Sequence, residues 1–221
     1  MKTKLNRAAS LLIAASALFL AHAAQAEIVY QNATGDLATI LNPGTFEVGD
    51  EIILAGSGRA ITNFTFQYTA SFSGPGTRQA QLRFYNNNGL VTNGFNAPGT
   101  MFFNSGLFPI GGGTNTLIFE AGNDFPAGGQ LAPDHFTWSV QFSGLTGGDT
   151  AGPNLFNPVT VGTNYNDYWD YNGSAWTLRQ STNGVPINFA ARIEAVPEPS
   201  IIALGVLGCV LGWGLSRRKH Q

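Results

Sequence analysis

Between residues 27 and 195 the chain has no cysteine, no lysine and a single histidine. The one cysteine, Cys209, lies in the C-terminal tail, so disulfides cannot hold this stretch together and a hydrophobic core has to suffice. At 169 residues it is long enough to bury one. Five arginines face twelve carboxylates there, a formal charge near −7 that the whole-chain value of −2 conceals. Nucleic acids and anionic polysaccharides are held by clustered cations, so this composition argues against binding them through a basic patch. One imidazole and no thiol make a poor transition-metal site. His135, beside Asp134, is the sole imidazole base, and no G-x-S-x-G elbow supplies it with a nucleophile. No strand-turn-helix phosphate loop occurs, so Gly111-Gly112-Gly113 reads as a turn. No helical stripe persists for three turns and no repeat is visible, which disfavours helical bundles, propellers and solenoids.

Glycine and asparagine are abundant instead, with 24 and 18 of the 169 residues. Glycine is thereby about twice its usual ~7% share, a composition of many turns. Phe64, Phe66, Tyr68, Ala70 and Phe72 alternate with polar residues, as do Phe136, Trp138, Val140 and Phe142. A period of two marks strands with one buried face. Shorter candidates are 51–54, 79–85, 117–121, 159–162, 176–179 and 187–194, separated by turn signals such as Gly74-Pro75-Gly76 and Asn183-Gly184. Strands with one apolar face must cover it with another sheet. The expectation is therefore an all-β fold, an antiparallel β-sandwich of jelly-roll or Ig-like type over residues 27–195. The Asn/Gly/Pro-rich stretch from Asn86 to Thr114 is expected to be a long irregular excursion, the kind of segment that often carries binding residues.

Both ends read as processing segments. Lys2, Lys4 and Arg7 precede an apolar stretch from Ala8, and Ala24-Gln25-Ala26 has the small-x-small pattern of a signal peptidase site. Residues 1–26 are thus expected to be a signal peptide, with a cut after Ala23 as the alternative. At the other end, Val196-Pro197-Glu198-Pro199 leads into an apolar run from Ser200 to Leu215 and then Arg217-Arg218-Lys219. The run would make roughly 24 Å of helix at ~1.5 Å per residue, a little short for a ~30 Å hydrocarbon core. The basic end would stay cytoplasmic and leave the body outside. An ordinary C-terminal membrane anchor needs the same helix and charges but not the prolines.

Residues 196–219 resemble the PEP-CTERM sorting signal of Gram-negative bacteria: the motif Pro197-Glu198-Pro199, a single hydrophobic transmembrane helix, and the basic end Arg217, Arg218, Lys219. The resemblance implies recognition by the membrane transpeptidase exosortase after signal peptidase has acted. It also implies export to the cell envelope or extracellular matrix of a species that makes exopolysaccharide and biofilm. By analogy with the GPI signal, the tail would be removed and the inner-membrane anchor would be temporary.

Within the body, the densest side-chain chemistry runs from Asn164 to Trp176. Asn172-Gly173 suits a two-residue hairpin turn flanked by Tyr171 and Ser174. Tyr165, Tyr168, Trp169 and Trp176 offer flat faces for sugar rings, a possible glycan contact. They equally suit cross-strand pairs in a terminal hairpin, the reading favoured here. No cofactor is expected. Calcium is the most plausible ion, through the oxygens of Asp124, Asp134, Asp149, Asp167 and Asp170, although no EF-hand spacing occurs. A glycan hydrolase would need two carboxylates, for which Glu51, Glu120, Asp167 and Asp170 are available. The leading expectation is a non-enzymatic exported protein with a structural or adhesive role, ahead of a carbohydrate-binding module and a secreted glycan hydrolase.

Overall fold

The computed structural model describes residues 25–181 and 184–197, and folds them into strands with no helix. Ala24, Glu198, Pro199, Arg217, Arg218, Lys219 and the expected C-terminal helix lie outside the described residues. In chain order the strands are β1 (Glu27–Asn32), β2 (Asp36–Ile40), β3 (Glu47–Ile53), β4 (Gly58–Ser71), β5 (Gln79–Asn86), β6 (Val91–Thr92), β7 (Phe95–Asn96), β8 (Met101–Asn104) and β9 (Phe108–Pro109). They continue with β10 (Gly113–Glu120), β11 (Gln130–Leu131), β12 (His135–Ser143), β13 (Thr150–Phe156), β14 (Thr163–Asn164), β15 (Asp167–Tyr171), β16 (Trp176–Gln180) and β17 (Ala191–Pro197).

β4, with its alternating aromatics, is the spine of a seven-stranded sheet. Along one edge it pairs with β17, which carries β1 beyond it, and further on with β13, which carries β2. Its other edge takes β11 and β10. The second sheet has the order β16-β15-β3-β12-β5-β8, with β14 also on β3 and β9 also on β5. All these strand pairings are antiparallel. The apolar faces meet in a shared aromatic core: Phe64 of β4 lies 5.0 Å from Phe84 of β5 and 5.2 Å from Trp138 of β12, and Tyr68 lies 5.9 Å from Phe142. Each fully buried aromatic contributes roughly 1.5–3 kcal/mol, and this takes the place of disulfides.

Several boundaries differ from expectation. Residues 159–162 form no strand; Val161 makes one isolated bridge to Gln31, and Gly162 turns the chain at φ 74°. The last strand begins at Ala191, not Ile187, and extends through Val196 and Pro197, which pair with Ala60 and Gly58. The first two residues of the expected sorting segment, placed outside the 27–195 body, are therefore part of the sheet. β13 carries Gly152 and Pro153, which look like strand breakers, yet it is largely buried. A Cβ on Gly152 would sit 1.8 Å from the Leu41 carbonyl oxygen, so only glycine lets the neighbouring chain approach this closely. Asn172 and Gly173 belong to a four-residue turn between Tyr171 and Trp176, in which Asn172 Oδ1 accepts from the amides of Ser174 and Ala175.

Candidate functional site

β3 reads Glu-Val-Gly-Asp-Glu-Ile-Ile, and its alternation sends Val48, Asp50 and Ile52 one way and Glu47, Gly49 and Glu51 the other. The second set lies on the outer face of the second sheet. Register brings neighbours to it: Thr137, Ser139 and Gln141 of β12, then Tyr85, Arg83 and Gln81 of β5 on one side. On the other side stand Trp169 opposite Gly49 and Tyr171 opposite Glu47, with Trp176 beyond Tyr171.

Glu47 and Glu51 sit on this face in separate networks. Glu47 Oε1 accepts from Ser139 Oγ (2.5 Å) and Tyr85 Oη (3.0 Å), while Oε2 accepts from Arg83 Nη1. Burial, and then the Glu47 charge, push the Tyr85 phenol well above its ordinary range. Glu51 Oε2 accepts from Trp169 Nε1 at 3.1 Å and Oε1 from Asn87 Nδ2 at 3.1 Å. His135 Nε2 lies 2.5 Å from Glu51 Oε1 but without hydrogen-bond alignment. Asp167, two residues before Trp169 on the same face, has its carboxyl pushed up by burial first and by Glu51 second. The Asn86–Thr100 excursion covers part of this array: Asn87 Oδ1 also accepts from Thr137, and Ala97 packs with Trp169 and Leu178.

The four aromatics read as a sugar surface do not form one. Trp169 is fully buried, its indole committed to Glu51 beneath Ala97 and Leu178, so its ring offers no exposed face to a sugar. Tyr168 points to the opposite face, its ring 6.4 Å from Phe189 of the core. Tyr165 is exposed but stands apart, against Phe95 and His135. Trp176 is half-buried, and makes a small shelf with Tyr85 (5.4 Å) and Tyr171 (5.0 Å). Beside the shelf run Gln81, Arg83 and Gln141, with Asn104 accepting from Gln81 Nε2 at 2.6 Å. The sequence reading missed Glu47, Arg83 and Tyr85. Their spacing, Glu47-x-Gly49-x-Glu51 and Arg83-x-Tyr85, carries the signal once β3 is started at residue 47.

The acids considered for calcium are dispersed among protein partners. Asp149 closes a loop by accepting from Thr146 N, Ser73 N and Arg78, which hold its carboxyl well below the usual range. Asp134 pairs with Arg59, Asp170 with Arg179, and Asp124 accepts from Glu120 N. Among the described residues no three His, Cys, Asp or Glu side chains converge as a metal-binding group. Of the four acids considered for glycan hydrolysis, Glu51 and Asp167 share the outer face of the second sheet. Glu120 belongs to the other sheet, and Asp170 alternates away from Trp169.

Comparison with protein-family models, curated proteins and solved structures returned no match.

Proposed function

We propose that the chain is an exported, non-enzymatic β-sandwich of jelly-roll or Ig-like type. A C-terminal signal of the PEP-CTERM kind would sort it to the cell envelope or extracellular matrix, with a structural or adhesive role in an exopolysaccharide layer. The observation that supports this most is the pairing of the first strand with the last. β1 opens at Glu27, the first residue after the expected signal peptidase site, and β17 carries the described chain to Pro197, the first residue of the expected sorting motif. The two strands pair, so both expected processing points lie at one end of the sandwich. Glu27 is anchored there: its Oε1 accepts from Ser57 N (2.7 Å) and Gly58 N (2.6 Å), which lower its pKa. The engagement of Glu47 and Glu51 by internal donors favours a passive role over acid-base catalysis at that face.

Intact mass of the protein recovered from the envelope or medium tests this reading. The expected species starts at Glu27 and ends shortly after Pro197; a full-length cytoplasmic species would overturn it. Loss of the gene should also change the matrix or biofilm.

A carbohydrate-binding role has one observation in its favour, the Tyr85–Tyr171–Trp176 shelf beside planar amide and guanidinium groups. Trp176→Ala is the variant to compare on a glycan array. Binding by the parent and loss by the variant would support the role, and no binding by either would remove it.

A further inference from the structure

Thirty-six consecutive residues, from Phe84 to Ile118 and Phe119, contain no Asp, Glu, Lys or Arg, the interval between Arg83 and Glu120. Much of this stretch is an ordered ribbon. Asn86 N donates to Thr100 O (2.9 Å), Gly89 N to Ala97 O (2.8 Å) and Ala97 N to Leu90 O (3.1 Å). β6 and β7 close it through Asn93 and Gly94, both at positive φ, as a tight two-residue hairpin requires. The ribbon holds out Leu90, 87% exposed, and Val91, 68% exposed.

Its position follows from a chain of contacts. Phe95 meets Tyr165 edge-on at 5.8 Å, and Tyr165 lies 6.3 Å from His135. Asp134, just before His135, pairs with Arg59, and Gly58 next to it pairs with Pro197. The ribbon thus overhangs the end where the chain leaves the sandwich. Other exposed apolar side chains gather there: Ile28 opposite Glu194, Leu131 opposite Ala60, and Met101 opposite Tyr85. Phe46 and Leu107 mark the other end and Ile118 the middle, so seven of the ten large exposed hydrophobics among the described residues lie at the Gly58 end.

Only Glu198 and Pro199 separate Pro197 from the apolar run that starts at Ser200. The three residue steps from Pro197 to Ser200 span at most about 11 Å even when fully extended. If that run enters a bilayer, the Gly58 end is held against its surface. The charged groups at this end lie off the ribbon: Arg59 pairs with Asp134, Glu27 accepts from backbone amides, and Glu120 and Asp124 stand at the end of β10 and on the loop that leads into β11. An uncharged, apolar protrusion enters the headgroup boundary without desolvating an ion.

We infer that the Gly58 end is a lipid-docking surface, with Leu90 and Val91 of the ribbon seated in the bilayer interface while the tail is inserted. This rests on the membrane-inserted reading of the C-terminal segment. The test uses the full chain carrying Cys209→Ala, with one new thiol at Leu90→Cys or, at the far end, Leu107→Cys. Each thiol is labelled with an environment-sensitive fluorophore in phosphatidylethanolamine/phosphatidylglycerol vesicles. The label at position 90 should shift to the blue and be quenched by doxyl-bearing lipid, while that at 107 should do neither. A chain that floats with the vesicles but keeps both labels in water overturns docking alone. A blue shift at 90 without lipid quenching assigns the surface to a protein contact and also overturns it. A chain that fails to float overturns both docking and the membrane-inserted reading.

Discussion

Asp50 faces the interior from β3, fully buried opposite Trp138, with Phe189 N donating to Oδ2 at 2.9 Å and Asn164 at 3.4 Å. Oδ1 has no partner, and the nearby charges are those of Asp167 and Glu51. Burial therefore drives this carboxyl well above its ordinary range. The folded state keeps a proton that the unfolded chain releases near pH ~3.9, so this residue's contribution falls as pH rises from there through the folded value. Glu27 and Asp149 have lowered pKa values and slope the other way, losing stability as pH falls through their folded values. Asp50→Asn isolates the Asp50 contribution. Its urea midpoint relative to the parent should climb with pH across that window, and a difference independent of pH would refute the assignment. At Gly152 the obstacle is backbone, the Leu41 carbonyl, which no rotamer change relieves. Gly152→Ala should destabilise by more than about 1 kcal/mol, the scale of ordinary single substitutions, as thermal melting would register.

The hairpin of β15 and β16 places two tryptophans on the outer face of the second sheet in different surroundings. Trp169 fills the space over Gly49 and bonds Glu51, whereas Trp176 sits at the rim with Tyr171 and Tyr85. Trp169→Ala removes a fully buried ring and a donor to a buried carboxylate, a loss of about 3–5 kcal/mol. Trp176→Ala gives up only part of a ring's burial and should cost about 1–2 kcal/mol. Urea unfolding separates them; equal losses would contradict the burial of Trp169 beneath Ala97 and Leu178. Any glycan binding should respond to Trp176 with the fold intact.

Across the whole molecule, β17 lies between β1 and β4, so the last strand joins the first to the spine of the sheet. Pairing Glu27 with Ala195 closes nearly the entire body, a non-local contact of high entropic cost that is not gained until the chain is complete. A chain ending at Ala190 should show no cooperative thermal transition, while one ending at Pro197 should melt as a single unit; a cooperative melt of the shorter chain would disprove this. For C-terminal processing the consequence is direct. A cut after Pro197 spares every described strand, and a cut before Ala191 removes the strand that joins β1 to β4.

Period-two alternation is local, written into each strand by the geometry of the backbone, and so the all-β character and the two long aromatic strands were legible in the sequence. The missing cysteine likewise placed the burden on the core without reference to any fold. β13 was not legible, because Gly152 and Pro153 look like breakers until the approach of Leu41 explains the glycine. Nor could the sequence distinguish a surface tryptophan from a buried one in Tyr168-Trp169-Asp170. Alternation alone assigns two faces but does not say which of them another segment covers. Only the tertiary structure decided that Glu51 takes the Trp169 indole, that Glu47 takes Arg83, and that the chain's entry at Glu27 and exit at Pro197 meet at one end. Those are matters of register between strands far apart in sequence, and no local pattern encodes them.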